Sequence, residues 1–193
     1  MTQVIQAIVD ALDATWHDIA KELRRTSVSH WNESVFRYLF VRAFLRRNPE
    51  AVCYVEWNRI DLVVQCFGKN ALVEFKFFHA EIVYNLNGKR LRPKGGAGKK
   101  NFREFCKCMA KLATIKNARW RKRQRERIDA KLLILAYVDR DNQQGKKSFR
   151  HWYANILPRE LPRKDSFKTV RTFEPIVCKK SNSEMNCKLF AVV

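Results

Sequence analysis

The chain has 193 residues, 46% hydrophobic and 12% aromatic, enough to build the core of one domain and incompatible with a wholly disordered chain. Lys and Arg number 39 against 19 Asp and Glu, a formal net charge of +20. Such an excess repels itself in a compact state unless a polyanion shares the surface. Nucleic acid is therefore the first partner to expect, an anionic membrane the second. Spanning a membrane is not expected: the longest apolar tract, Val35 to Leu45, is broken by Arg37 and Arg42 and falls far short of the roughly 20 apolar residues required.

Residues 4 to 23 carry Val4, Ile5, Ile8, Val9, Leu12, Trp16, Ile19 and Leu23 at helical spacing, with Asp10, Asp13, Asp18 and Glu22 on the other face. This is the one acidic element of a basic chain, so it should face away from a polyanion. Its apolar stripe is either core or a dimer contact. Asp10 and Asp13, and the absence of a basic leader, speak against a secretory signal. A second helix, roughly Trp31 to Arg47, places Phe36, Leu39, Phe40, Ala43 and Phe44 on one stripe and stops at Asn48-Pro49.

The period then changes. Ala51 to Trp57, Ile60 to Phe67 and Ala71 to Phe78 are short runs rich in Val, Tyr, Phe and Leu, as strands are. The last two are joined through Gly68-Lys69-Asn70, a hairpin turn. Gly88 to Lys100 reads as a basic, Gly-rich loop, within a stretch from Ile82 to Arg103 that has no acid. A third helix is predicted from about Asn101 to Trp120, running on into Arg121–Arg127. Lys131 to Val138 is a buried strand by its Leu, Ile and Ala. A strand or short helix is expected near Phe149 to Leu157, and strands near Thr169 to Cys178 and Lys188 to Val193. The order implies a mixed α/β sheet covered by helices, built from a hairpin and a strand–helix–strand crossover. One domain over residues 1–193 is expected, its core at about 29–138 and additional strands over 139–193.

Charges out of place in apolar strands point to chemistry. In Leu72-Val73-Glu74-Phe75-Lys76-Phe77-Phe78, Glu74 and Lys76 share one strand face, and two charges in a core strand are costly without partners. Asp61 is equally misplaced in Ile60-Asp61-Leu62-Val63-Val64. If Phe67 pairs with Asn70, or if the turn spans Phe67 to Asn70, Asp61 stands opposite Lys76 on the face of Glu74. An odd-length loop would flip it to the wrong face, so an even turn or a compensating bulge is required. Carboxylates from adjacent strands bind a hard divalent cation such as Mg²⁺, which takes substrate phosphate as a further ligand. The lysine can orient or help deprotonate an attacking water and stabilise developing negative charge. Glu33, near the buried stripe at the start of its helix, can supply a third carboxylate. Glu56 is a possible accessory ligand.

With these residues in this order the chain resembles the PD-(D/E)XK nuclease superfamily, the restriction-endonuclease-like fold. The resemblance covers about residues 29 to 138, and Ile60 stands where the family motif has Pro. It implies that Asp61, Glu74 and Glu33 hold Mg²⁺, with Mn²⁺ able to substitute. It implies further that Asp61, Glu74, Lys76 and Glu33 carry metal-dependent hydrolysis of DNA phosphodiesters, mostly in duplexes. One such site per chain implies a homodimer, or two visits, for cutting both strands.

Candidate phosphate contacts are Arg59, then Lys89, Arg90, Arg92, Lys94, Lys99 and Lys100 of the Gly-rich loop, then Arg119, Arg121, Lys122 and Arg123 beside Trp120. The segment Gly95-Gly96-Ala97-Gly98-Lys99-Lys100 is not a P-loop, because Pro93 and Lys100 replace the required Gly and Ser/Thr. Cys106-Lys107-Cys108 on a helix diverge and make no zinc pair. The cysteines suit a reducing setting, cytoplasmic or nucleoid- or nucleus-associated. No small-molecule cofactor is implied. The alternative function is a non-catalytic nucleic-acid-binding protein using the same fold and basic surface.

Overall fold

The computed structural model describes residues 2–28, 31–57, 59–79, 84–86, 89–91, 97–115, 117–121, 124–140, 145–153, 167–179 and 182–192. Two helices come first, α1 (Gln3–Glu22) and α2 (Glu33–Arg47), the second capped by the Asn32 side chain, which accepts from Val35 N–H at 2.9 Å. Strands β1 (Val52–Trp57), β2 (Ile60–Cys66) and β3 (Lys69–His79) follow as an antiparallel meander. The short hairpin β4 (Tyr84–Leu86) and β5 (Lys89–Leu91) precedes α3 (Lys99–Thr114). A second hairpin, β6 (Asn117–Arg121) and β7 (Gln124–Arg127), leads into β8 (Ala130–Arg140), then the five-residue helix α4 (Phe149–Tyr153). The chain closes with β9 (Phe167–Thr172), β10 (Ile176–Cys178) and β11 (Ser183–Val192).

These make one seven-stranded mixed sheet in the order β1-β2-β3-β8-β11-β10, with β9 also pairing β11. The β3–β8 pair is parallel and the others antiparallel, so α3 lies in the crossover that the element order implied. Asp129 locks that crossover, donating its N–H to the Asn70 carbonyl at 2.8 Å and accepting from Asn70 N–H at 3.0 Å. It stands immediately before β8.

The sheet separates two cores. On one face Val4, Ile8, Leu12, Trp16 and Ile19 of α1 and Phe36, Phe40 and Phe44 of α2 pack with Val64, Val73, Phe75 and Ile134. On the other, Phe105, Met109 and Leu112 of α3 and Phe149 and Tyr153 of α4 pack with Val63, Leu72, Leu133, Leu135 and Tyr137. The α1 stripe is thus consumed by the core and is not free for a dimer contact. No helix among the described residues is long and apolar enough to cross a membrane.

Three expectations need correction. The helix predicted through Arg127 ends at Thr114, and Ile115 is extended with φ −75° and ψ 112°. Beyond Leu112 the sequence supplies no apolar stripe to hold a helix against the sheet, and helices in proteins persist mainly by such packing. Of the basic cluster, Arg119 and Arg121 therefore lie on β6 and Arg125 and Arg127 on β7. The Gly88–Lys100 loop contains a strand, β5, within its expected bounds. The strand predicted over Thr169–Cys178 is interrupted between Thr172 and Ile176, where Phe173 turns into the core beside Pro175, which has no N–H for a ladder.

Candidate active site

The β2–β3 turn sets the site. Cys66 pairs with Lys69, so the turn is Phe67-Gly68, both with positive φ (54° and 67°), the twist that suits a two-residue hairpin. The turn is even, as required, but shifted by two positions from the expected register. Leu62 pairs with Val73, and the next residues along the strands are Asp61 and Glu74, not Asp61 and Lys76. Gly68 decides this: it takes the second turn position, where positive φ is needed, while Phe67 leaves the strand and is 56% exposed.

β2 pairs only the first part of β3, up to Val73, whereas β8 pairs β3 from Ala71 to His79. Past Val73, the edge of β3 that faced β2 therefore opens into a notch. Its backbone donors are taken by carboxylates. Asp61 Oδ2 accepts from Phe75 N–H at 2.8 Å, and Glu33 accepts from Phe77 N–H. Further along, the His79 ring Nε2 meets the Trp31 carbonyl. Glu74 is 4% exposed, and its Oε2 lies 3.4 Å from Asp61 N–H. Lys76 Nζ lies 3.4 Å from Glu33 Oε2. The four residues singled out in the sequence, Glu33, Asp61, Glu74 and Lys76, are thus brought together.

Two cations that sequence reasoning missed complete the notch. Arg37, one turn after Glu33 on α2, reaches Asp61 Oδ1 at 3.1 Å and Glu56 Oε1 at 2.8 Å. Lys111 of α3 reaches Glu74 Oε1 at 3.1 Å and also the Arg59 carbonyl. The i, i+4 spacing of Glu33 and Arg37 was a readable signal. For Lys111 the signal was weaker, since every third or fourth position of α3 is basic.

The electrostatics reflect crowding. Burial, with Asp61 adding to it, raises the Glu74 carboxyl above its ordinary value despite Lys111 and Lys76. Burial likewise raises Glu33, which Lys76 opposes and Asp61 reinforces. For Lys76, burial acts downward but is outweighed by Glu33, Cys108, Asp61 and Glu74, so its ammonium is held above the ordinary range. Burial pushes the neighbouring Cys108 thiol up to about 11. Lys76 is thus a cation, suited to stabilising negative charge rather than accepting a proton.

Hard oxygen donors crowded so that Asp61 raises the carboxyls of Glu33 and Glu74 are of the type a divalent cation such as Mg²⁺ takes. Among the described residues, however, no three His, Cys, Asp or Glu side chains converge as a ligand set. Bound metal would therefore require Lys111 or Arg37 to yield its carboxylate. Glu56, at 73% side-chain exposure, is held by Arg37 at the rim.

Among the expected phosphate contacts, Arg59 is exposed in the β1–β2 turn with φ 67°. Lys99 and Lys100 form the exposed first turn of α3. Lys89 and Arg90 belong to β5, and Arg119 and Arg121 to β6. Arg92, Lys94, Lys122 and Arg123 lie outside the described residues. All six cysteines are free thiols. No family model, no curated protein and no solved structure matches the chain.

Proposed function

We propose that the chain is a Mg²⁺-dependent endonuclease of the PD-(D/E)XK, restriction-endonuclease-like fold, hydrolysing phosphodiester bonds of duplex DNA. The observation that carries this reading is the juxtaposition of Asp61 and Glu74 on adjacent strands, the Asp61 N–H 3.4 Å from the Glu74 carboxylate, with Lys76 on the Glu74 face and Glu33 holding Lys76 at 3.4 Å. The element order supports it: an antiparallel hairpin carrying both carboxylates, then a helical crossover to a parallel strand.

Asp61 and Glu74 would hold the cation and Glu33 would assist. Bound there, Mg²⁺ would polarise the phosphoryl group and acidify water. Lys76 places its charge where a phosphoryl oxygen gains negative charge, and orients the attacking water. Glu33 keeps the Lys76 ammonium in the notch. The +20 surface supplies sequence-independent affinity for the backbone.

A second reading, a non-catalytic nucleic-acid-binding protein, is favoured by one observation. Each carboxylate already has a cation: Asp61 has Arg37, Glu33 has Lys76 and Glu74 has Lys111. Incubation of supercoiled plasmid, linear duplex and single strands with Mg²⁺, Mn²⁺ or EDTA separates the two. Metal-dependent cleavage that disappears in Lys76→Ala supports the nuclease. Tight binding without cleavage of any substrate supports the second reading.

A further inference from the structure

Helix α3 carries a cationic ridge. Phe105, Met109 and Leu112 are buried against the sheet. At 3.6 residues per turn, Lys100, Arg103, Lys107 and Lys111 fall within a sector of about 80° on the opposite side. Lys100, Arg103 and Lys107 are exposed, and Glu104 is the single acid beside them. The ridge works against its own helix. Arg103 and Lys107, then Lys107 and Lys111, are like charges at i, i+4 spacing, which destabilises a helix. Lys99 and Lys100 place positive charge in the first turn, where the helix dipole disfavours it and no acid compensates. Such a pattern is stabilised by an external anion lying along it.

The ridge also has a direction. Its last member is not solvated like the others: Lys111 turns into the notch, 3.1 Å from Glu74 and against the Arg59 carbonyl. From Lys100 to Lys111 the helix rises about 16 Å, the axial rise of about five phosphates of one strand.

We propose that the exposed ridge of α3, formed by Lys100, Arg103 and Lys107, is the track on which the sugar–phosphate backbone of duplex DNA lies, with Lys111 the contact nearest the phosphate presented to Asp61 and Glu74. The proposal rests on the reading of the site as one that acts on DNA, and adds the element that delivers the strand to it. Arg103, Lys107 and Lys111 thereby join Lys99 and Lys100 as backbone contacts.

The test is fluorescence anisotropy of a labelled 20-base-pair duplex in EDTA, titrated at several KCl concentrations, so that turnover is not needed. Each of Lys100→Gln, Arg103→Gln and Lys107→Gln should lower the slope of log Kd against log salt by about one, additively and on unrelated sequences alike. Lys107→Arg keeps the charge and should keep the slope. Arg46→Gln, at the end of α2 on the other side of the sheet, should leave it unchanged. Slopes unaltered by the three Gln variants would overturn the proposal, as would a wild type that does not bind duplex, or a Lys107→Arg variant that behaves like Lys107→Gln. Wild-type cleavage is scored separately. Steep ridge-dependent binding without cleavage would sink the nuclease and leave the track, whereas cleavage with unaltered slopes would do the reverse.

Discussion

Asp61 occupies, with its carboxylate, a backbone donor that continued pairing of β2 with β3 would have used: its Oδ2 lies 2.8 Å from Phe75 N–H, while its Oδ1 lies 3.1 Å from Arg37. One side chain therefore closes the sheet edge and brings negative charge beside Glu74. The two tasks can be separated by substitution, because an amide can accept a hydrogen bond but carries no charge.

Asp61→Asn should keep the Phe75 hydrogen bond, and Asp61→Ala should lose it. A buried donor without a partner costs about 1–3 kcal/mol, so urea unfolding should place the Ala variant below the Asn variant by about that amount. Both should fail to cleave. Equal stabilities would show that solvent reaches the Phe75 donor.

Glu74→Gln should stabilise the protein at neutral pH while abolishing cleavage. The folded-state pKa of Glu74 is raised, by burial first and then by Asp61. Below the unfolded-state value the group is protonated in both states and costs nothing. As pH rises through that value and then the folded one, the charged form is disfavoured in the fold and stability falls. The melting-temperature advantage of the Gln variant should therefore be small in acid and largest above the folded pKa. Lys111, 35% exposed at its side chain, can be hydrated when its partner is lost. An advantage that shrinks with rising pH would contradict this account.

Mg²⁺ should raise the melting temperature of the wild type and not that of Glu74→Gln. A ligand at a hundredfold excess over its Kd adds about 2.7 kcal/mol to the folded state. Protons on the raised carboxyls of Glu33 and Glu74 compete with the metal, so the shift should grow with pH. Lys111→Met removes an influence that lowers the Glu74 pKa, and should move that pH dependence upward. A thermal shift of equal size in the wild type and the Gln variant would place the cation elsewhere.

Three of the four candidate site residues were legible because each breaks a local rule. Asp61, Glu74 and Lys76 are charges inside apolar strands, and α1 announced itself by apolar residues at helical spacing. What the sequence hid was relational. Lys111 looks like Lys100 or Lys107 until α3 is laid over β3, when only one of them points at Glu74. Arg37 reads as an interruption of an apolar tract until α2 is set beside the notch. From Lys116 to Arg127 charge carries no period, so neither helix nor hairpin could be told from it. The register slipped because Phe67 has the composition of a strand residue and the conformation of a turn residue, with φ 54°.

That turn is the last lever on the site. Phe67 holds positive φ without being Gly, Asn or Asp, and is 56% exposed, so it gives up conformational freedom and buries little in return. Phe67→Asn should stabilise the hairpin by a few tenths to about 1 kcal/mol and leave cleavage intact, since it keeps the pairing of Cys66 with Lys69. Gly68→Ala, at φ 67°, should destabilise it. Insertion of a single Gly after Gly68 is the decisive variant. A one-residue slip moves every β2 side chain to the opposite face relative to β3. The chain must then either bury Asp61 among Val73 and Phe75 or bulge to keep it beside Glu74. If the pairing slips, cleavage and the Mg²⁺ thermal shift should vanish together. If a bulge absorbs the insertion, both should survive at reduced stability. Cleavage that persists after the Mg²⁺ shift has been lost would show that the Asp61–Glu74 relationship is not what holds the metal.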